Sequence, residues 1–354
     1  MNTYARHGSE AFNARLDAVI KRLSADIAAA LGDGLEALVL GGGYGRGEGG
    51  VVVRDGQEHP YNDLDLLLVV KRHGVPLEAA HPVTERYAHE LGIEVDLSRP
   101  VTVADIEQWP PWLMWHEFVQ GHTVLCGPQD ILTGHVPKRV LDPPPGVEAL
   151  RLLLNRGAGL LWARRVAAGI DPLIDPDFIR RNAYKCVMAL GDALTVVYCR
   201  HVTAYDGRDL RIAALVREFG LSFSFDLTAL YAEALRFRFR PDQAPAEPWD
   251  DARLQSLARH WAEVLLHVEG LRTGRAWASV TDYGAWSGIR EPEMNSCQAR
   301  IKNLARNLSA GGLSPLHPRE ALYRSLPGLL LADAGAPGWA ARSAQFLSVW
   351  RRFN

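Results

Sequence analysis

Three aspartates carry the clearest chemistry in the chain. Asp63 and Asp65 stand one residue apart in the run NDLDLLLVV, where the alternation of a strand projects both carboxylates from one face. Two anions held that close repel, and a fold tolerates them where something positive sits between them. Hard divalent cations such as Mg²⁺ take oxygen ligands from one or two carboxylates and complete their shell with water and substrate phosphates. Asp96, in IEVDLSRP, lies on the polar face of a later strand and supplies a third ligand if that strand runs beside the first. The complementary part is LVLGGGYGRGEGG, Leu38 to Gly50, with seven glycines among its last ten residues. Glycines let a backbone turn sharply and bring its N–H groups up to phosphate oxygens where a Cβ would collide. Either signal alone is weak, since glycine turns often connect strands without binding anything; together and in this order they form a constellation.

The elements that must position these residues are legible around them. Phe12, Leu16, Ile20, Leu23, Ile27 and Leu31 recur at helical spacing and predict one amphipathic helix, ended by Gly32 and Gly34. Ala37 to Leu40 reads as a short buried strand leading into the glycines. VVVRDGQEHPYN, with its Asp55-Gly56 pair, predicts a hairpin. Leu64 to Val70 reads as a strand covered on both faces, Leu77 to Leu91 as a helix, and Ile93 to Leu97 as a strand with one polar face. Past Pro137 the character changes. The run DPPPG, Asp142 to Gly146, reads as a linker, and helical spacing dominates over Val147 to Ala168, Asp177 to Cys199, Leu227 to Phe237 and Ala252 to Thr273. The expected layout is an α/β catalytic domain over 1–136, a mixed sheet flanked by helices, followed by an all-α helical domain over 137–354 that contributes to the NTP and acceptor cleft.

In its order of glycine turn, spacer, Asp-x-Asp strand and later single aspartate, the chain resembles the DNA polymerase beta-like nucleotidyltransferase superfamily; the matching residues are Gly42-Gly43, Asp63-Leu64-Asp65 and Asp96. Within it, GGYGRGE, Gly42 to Glu48, looks most like the PII uridylyltransferases, and VDLSRP is similar to them and to the glutamine synthetase adenylyltransferases. The resemblance covers roughly the first 135 residues. Nineteen residues, Tyr44 to Asn62, separate the glycine pair from Asp63, more than the family usually has, and the hairpin accounts for the excess. No His-Asp dipeptide occurs, so the hydrolase of the PII uridylyltransferases is not expected, nor are their regulatory domains.

The resemblance implies transfer of a nucleoside monophosphate from an NTP, ATP by default, to a hydroxyl, with pyrophosphate leaving. Asp63, Asp65 and Asp96 become the catalytic and metal-binding residues for two Mg²⁺ (or Mn²⁺) ions, with Asp96 or Glu94 taking the acceptor's proton. Gly42, Gly43, Tyr44, Gly45 and Arg46 become the nucleotide-binding loop, although an ion pair between Arg46 and Glu48 on the surface is an equal reading. The superfamily's helical domain often lends a lysine to the triphosphate, and Lys185 in KCVMALGDAL is similar, against the plain reading of a solvated helix lysine. Arg156, Arg164, Arg180 and Arg181 either add positive potential there or are simply exposed.

Other signals favour plainer roles. In WPPWLMWHEF, Trp112 and Trp115 are expected to share a helix face, and the three tryptophans read as interdomain packing before they read as a base-stacking platform. RFRFRP, Arg236 to Pro241, alternates basic and aromatic residues and reads as a short amphipathic edge before it reads as a nucleic-acid contact. None of the twelve histidines forms an HxH or HExxH spacing, and Cys126, Cys186, Cys199 and Cys297 read as buried thiols. A formal charge of −2 gives no broad positive field for nucleic acid. The favoured acceptor is therefore a small hydroxylated molecule; a partner protein, an RNA, or a nucleotide-binding regulator without catalysis are the competing readings. No apolar run approaches the roughly 20 residues that span a bilayer, and a cytoplasmic location is expected.

Overall fold

The computed structural model describes residues 2–308 and 313–353. They divide into two compact units: the first comprises 1–144, 201–211 and 235–245, and the second 145–200, 212–234 and 246–354. The first division in the chain falls between Pro144 and Pro145, inside the DPPPG run.

The first unit is built on a mixed four-stranded sheet. In chain order its elements are α1 (Glu10–Leu31), β1 (Leu35–Leu40), the single helical turn α2 (Gly42–Gly45), β2 (Val51–Arg54), β3 (Gln57–Pro60), β4 (Leu64–Val70), α3 (His81–Leu91), β5 (Val95–Leu97), α4 (Val103–Ile106), α5 (Leu113–Gln120), β6 (Thr123–Cys126) and α6 (Lys138–Leu141). The sheet order is β5-β4-β1-β6, with β4 and β5 parallel and the other pairs antiparallel, and β2-β3 form a separate hairpin. Asp55 and Gly56 at its tip both have positive φ, as the two-residue turn requires.

The period of two in β1 and β4 splits their side chains between two cores. Leu38, Leu40, Leu64, Leu66 and Leu68 face α1 and α3, where Phe12, Leu16, Ile20, Leu23, Tyr87 and Leu91 meet them. Ala37, Val39, Leu67 and Val69 face the opposite layer, built from Ile106, Trp109, Val119, Leu132 and Val140. Each fully buried Leu or Ile contributes about 1.5–3 kcal/mol, so both faces of these central strands are held firmly. Ser9 caps α1 by accepting from Phe12 N at 3.1 Å, and Gly32 ends it.

Several expectations need correction. The helix proposed from Leu77 begins only at His81, because Pro82 fits the first helical turn, where no N–H is needed, and the preceding residues form turns. Trp112 and Trp115 do not share a helix face: Trp112 is the residue before α5, whereas Trp115 stacks on Trp109 at 3.9 Å with their planes 12° apart. Trp109 is a core residue of the first unit. Only Cys186 is buried; Cys126 is half-buried, and Cys199 and Cys297 are exposed.

The second unit is helical. Its main elements are α7 (Val147–Ala167), α8 (Phe178–Val197), α11 (Asp251–Thr273), α12 (Val280–Ala285), α13 (Cys297–Leu308), α14 (Arg319–Leu331) and α15 (Trp339–Phe353), while α9 (Arg208–Glu218) and α10 (Leu227–Phe239) contribute residues to both units. Trp261 of α11 donates to Leu153 O at 2.9 Å, and a Cβ on Gly157 would sit 2.8 Å from its ring, so α7 and α11 pack closely here. Arg164 is not a surface cation: it is fully buried and caps the carbonyls of Leu330 and Ala332. Arg181 pairs with Asp175 at 2.7 Å. Among the described residues, no helix is long and apolar enough to cross a membrane.

Candidate functional site

Asp65 and Leu67 lie on the same face of β4, but the apolar layer that covers Leu67 gives way to polar groups at Asp65. Asp63 directly precedes β4, where Leu64 N bonds Glu94 O at 2.9 Å and brings the two chain segments together. The parallel pairing of β4 with β5 sets Leu64 against Val95, Asp65 against Asp96 and Leu66 against Leu97. The register is fixed by the apolar residues, since Leu64, Leu66, Val95 and Leu97 all pack into the α1/α3 core. Asp96 is thereby turned out on the same side as Asp65. One carboxylate oxygen from each of Asp63, Asp65 and Asp96 lies within 4.8 Å of the other two. Asp63 and Asp65 are half-buried and Asp96 is exposed.

Partial desolvation, followed by the negative charges of Asp63 and Glu94, raises the Asp96 carboxyl above its ordinary range. The donor set is all carboxylate oxygen, which suits Mg²⁺ or Mn²⁺ rather than the nitrogen- and sulfur-seeking metals. Among the described residues, no other group of three or more His, Cys, Asp or Glu side chains has ligating atoms this close.

The glycine run leaves β1 beside this cluster. Gly41 N bonds Asp65 O at 2.8 Å, and the turn Gly42–Gly45 follows. Gly42 has φ +61°, and a Cβ there would lie 1.8 Å from Asp65 Oδ2, in the space the carboxylate occupies. Gly49 serves a different purpose: a side chain at that position would overlap the Tyr44 ring at 2.1 Å. Tyr44 is buried beneath the loop, where its hydroxyl donates to Gly50 O at 2.7 Å and accepts from Tyr61 N at 3.0 Å. Burial pushes this phenol well above its ordinary range, so it stays neutral. Tyr44 is thus a tie between the glycine loop and the end of the hairpin, and its hydroxyl is committed to backbone groups.

Arg46 and Glu48 do form an ion pair, at 3.6 Å, but it is buried rather than on the surface. Glu48 also accepts from the backbone N–H groups of Tyr205 and Asp206 at 3.1 Å, which fastens segment 201–211 to the loop. The Tyr205 ring in turn carries the Arg208 and Arg238 guanidinium groups at 3.7 and 3.9 Å from its centre, with Arg46 at 5.4 Å. Glu117 lies 3.3 Å from His201 Nε2 and 3.6 Å from Arg208. Burial pushes the Glu117 carboxyl up, but the hydrogen bond from His201 and the charges of Arg208 and Arg46 prevail and bring it to about 2.

Arg238 is the cation that sequence reasoning passed over. It comes from the RFRFRP run at the end of α10; Phe237 and Phe239 are buried, and Arg238 Nη2 reaches within 3.4 Å of the position a Gly43 Cβ would take. Its Nε is buried with no hydrogen-bond partner. The alternation of basic and aromatic residues was the signal. Lys185 is an exposed residue of α8 in the second unit. Comparison of the chain with protein-family models, with curated proteins and with solved structures finds no match in any of the three.

Proposed function

We propose that the chain is a Mg²⁺-dependent nucleotidyltransferase that moves NMP from an NTP to a hydroxyl of a small acceptor. The observation that carries the reading is the convergence of Asp63, Asp65 and Asp96 beside a glycine turn whose Gly42 leaves no room for a Cβ. The three carboxylates would hold the metal, which when bound neutralises phosphate charge and makes a coordinated hydroxyl more acidic. The leading N–H groups of a helical turn have no intrahelical acceptors, and Gly42 and Gly43 occupy that place, offering donors to phosphate oxygens. Arg238 adds a cation beside Gly43. The acceptor oxygen attacks the α-phosphorus, the bond to the β-phosphate oxygen breaks, and pyrophosphate leaves; the proton goes to Asp96 or Glu94. The formal charge of −2 favours a small acceptor over RNA.

Wild type and Asp63→Asn/Asp65→Asn protein, incubated with Mg²⁺, each α-labelled NTP and host extract, test this. Label dependent on the carboxylates is expected in the small-molecule fraction. Label confined to protein or RNA would overturn the acceptor class, and no transfer to any fraction would overturn the activity.

A further inference from the structure

The helix α13 is inverted relative to an ordinary surface helix. Its fully buried residue is a polar one, Asn303, while Ile301 is 78% exposed and Leu304 and Leu308 are exposed beside it. Spacings of three and four place Ile301, Leu304 and Leu308 on one stripe. The opposite, amide-bearing face is what fastens the helix to the second unit. Asn303 Nδ2 donates to Met294 O at 2.9 Å, and Asn307 Nδ2 donates to Ser314 O at 2.8 Å and Leu316 O at 2.6 Å. Leu313, just beyond, is 81% exposed. Hydrogen bonds thus hold the apolar stripe outward, against the usual preference for burying it.

Charge says what covers the stripe. Arg300, Lys302 and Arg306, all exposed, are the charged residues of α13, against one exposed acid, Glu293, in the turn Pro292–Asn295 that packs on it. A second copy of this helix would bring cations against cations. Nucleic acid would satisfy the cations and leave the leucines wet. A short helix with an apolar stripe flanked by Lys and Arg matches an anionic bilayer, where acyl chains take the apolar side chains and headgroups take the cations. We infer that α13 is a docking surface for anionic phospholipid, by which the protein associates reversibly with a membrane surface. The inference is independent of the activity proposed above.

The test uses the full chain in flotation with phosphatidylcholine vesicles, with and without phosphatidylglycerol. Binding is expected only to the anionic vesicles, weakened as salt rises to about 0.15 M, where the screening length is about 8 Å. Ile301→Ser/Leu308→Ser should lower the partition coefficient about tenfold or more, as should Lys302→Glu/Arg306→Glu. Both pairs are exposed, and an unchanged circular dichroism spectrum verifies the fold. Failure to float with anionic vesicles at low salt would overturn the inference, as would wild-type binding by Ile301→Ser/Leu308→Ser. So would a concentration-dependent dimer that the same substitution abolishes, which would assign the stripe to a second copy.

Discussion

Gly42→Ala separates a glycine needed for the site from one needed only for a turn. Two costs arise at Gly42. Its φ of +61° places an alanine in the left-handed region, at about 1–2 kcal/mol. The added Cβ would also start 1.8 Å from Asp65 Oδ2, where ordinary contact begins at 3.4 Å, so the carboxylate oxygen must retreat by about 1.6 Å. Metal sites tolerate ligand displacements of only about 0.2 Å, so the cluster should lose a donor. Gly274→Ala is the matched control, because Gly274 has φ +67° in the second unit and open space around its missing Cβ. Thermal unfolding should report a loss of stability for both variants. Calorimetric titration with Mn²⁺ should report at least a tenfold loss of affinity, about 1.4 kcal/mol, for Gly42→Ala alone. Unchanged Mn²⁺ affinity in Gly42→Ala would refute the assignment of this turn and Asp65 to one site.

Asp96→Asn relieves repulsion in the metal-free protein, so it should raise the Tm measured in EDTA and abolish the stabilisation that Mg²⁺ confers on wild type; a Tm that falls in EDTA would contradict the electrostatic reading. Tyr44→Phe removes the hydroxyl that bridges Gly50 O and Tyr61 N, but Tyr61 N keeps its own 3.1 Å bond to Gly50 O, so the variant should cost only about 0.5–1.5 kcal/mol in urea unfolding, whereas a cost near zero would mean the hydroxyl is no tie. Glu117 has its folded pKa depressed to about 2 from an ordinary 4.5, so its contribution is fully present above pH 4.5 and is lost as pH falls towards 2. Glu117→Gln should therefore destabilise by about 3 kcal/mol at pH 7 and converge on wild type as pH approaches 2, which urea unfolding across that range checks. Arg238→Ala should raise the KM for NTP about tenfold or more, and Lys185→Ala, measured in parallel, shows whether the second unit supplies a cation as well; an unchanged KM in Arg238→Ala would remove Arg238 from the site.

What could be read from the sequence was local and periodic. The stripe from Phe12 to Leu31 is α1 because its spacing admits only one buried face, and Asp55-Gly56 is a hairpin tip because both residues accept positive φ. Asp63 and Asp65 could be paired from spacing alone, and Asp96 joined to them on the single condition that its strand lies alongside, which β5 meets. The rest depended on contacts between distant parts of the chain. Nothing in GGYGRGE shows that Glu48 accepts from Tyr205 and Asp206, or that Arg238 approaches Gly43. Composition misled where burial is set by tertiary packing, as with exposed Cys199 and Cys297. The glycines were also not one signal: Gly42 leaves room for the Asp65 carboxylate, whereas Gly49 makes space for the Tyr44 ring.

The carboxylate cluster rests on the pairing of a three-residue edge strand. Because side chains alternate with a period of two, sliding β5 by one residue along β4 would turn Asp96 to the α1/α3 side and swing Val95 or Leu97 into the place of the third carboxylate. What opposes the slip is apolar: Val95 and Leu97, with Ile93 before them, pack against the core that holds Leu64 and Leu66. A slip would bury a carboxylate and expose aliphatic side chains, at a cost of several kcal/mol, far above the mutual repulsion of exposed and half-buried aspartates. The hydrophobic pattern of IEVDL therefore does two things at once, closing the core beneath the sheet and holding three like charges together above it. The same arrangement explains why an edge strand so short is sufficient: its register is dictated by Val95 and Leu97, and Asp96, between them, has only one direction left to point.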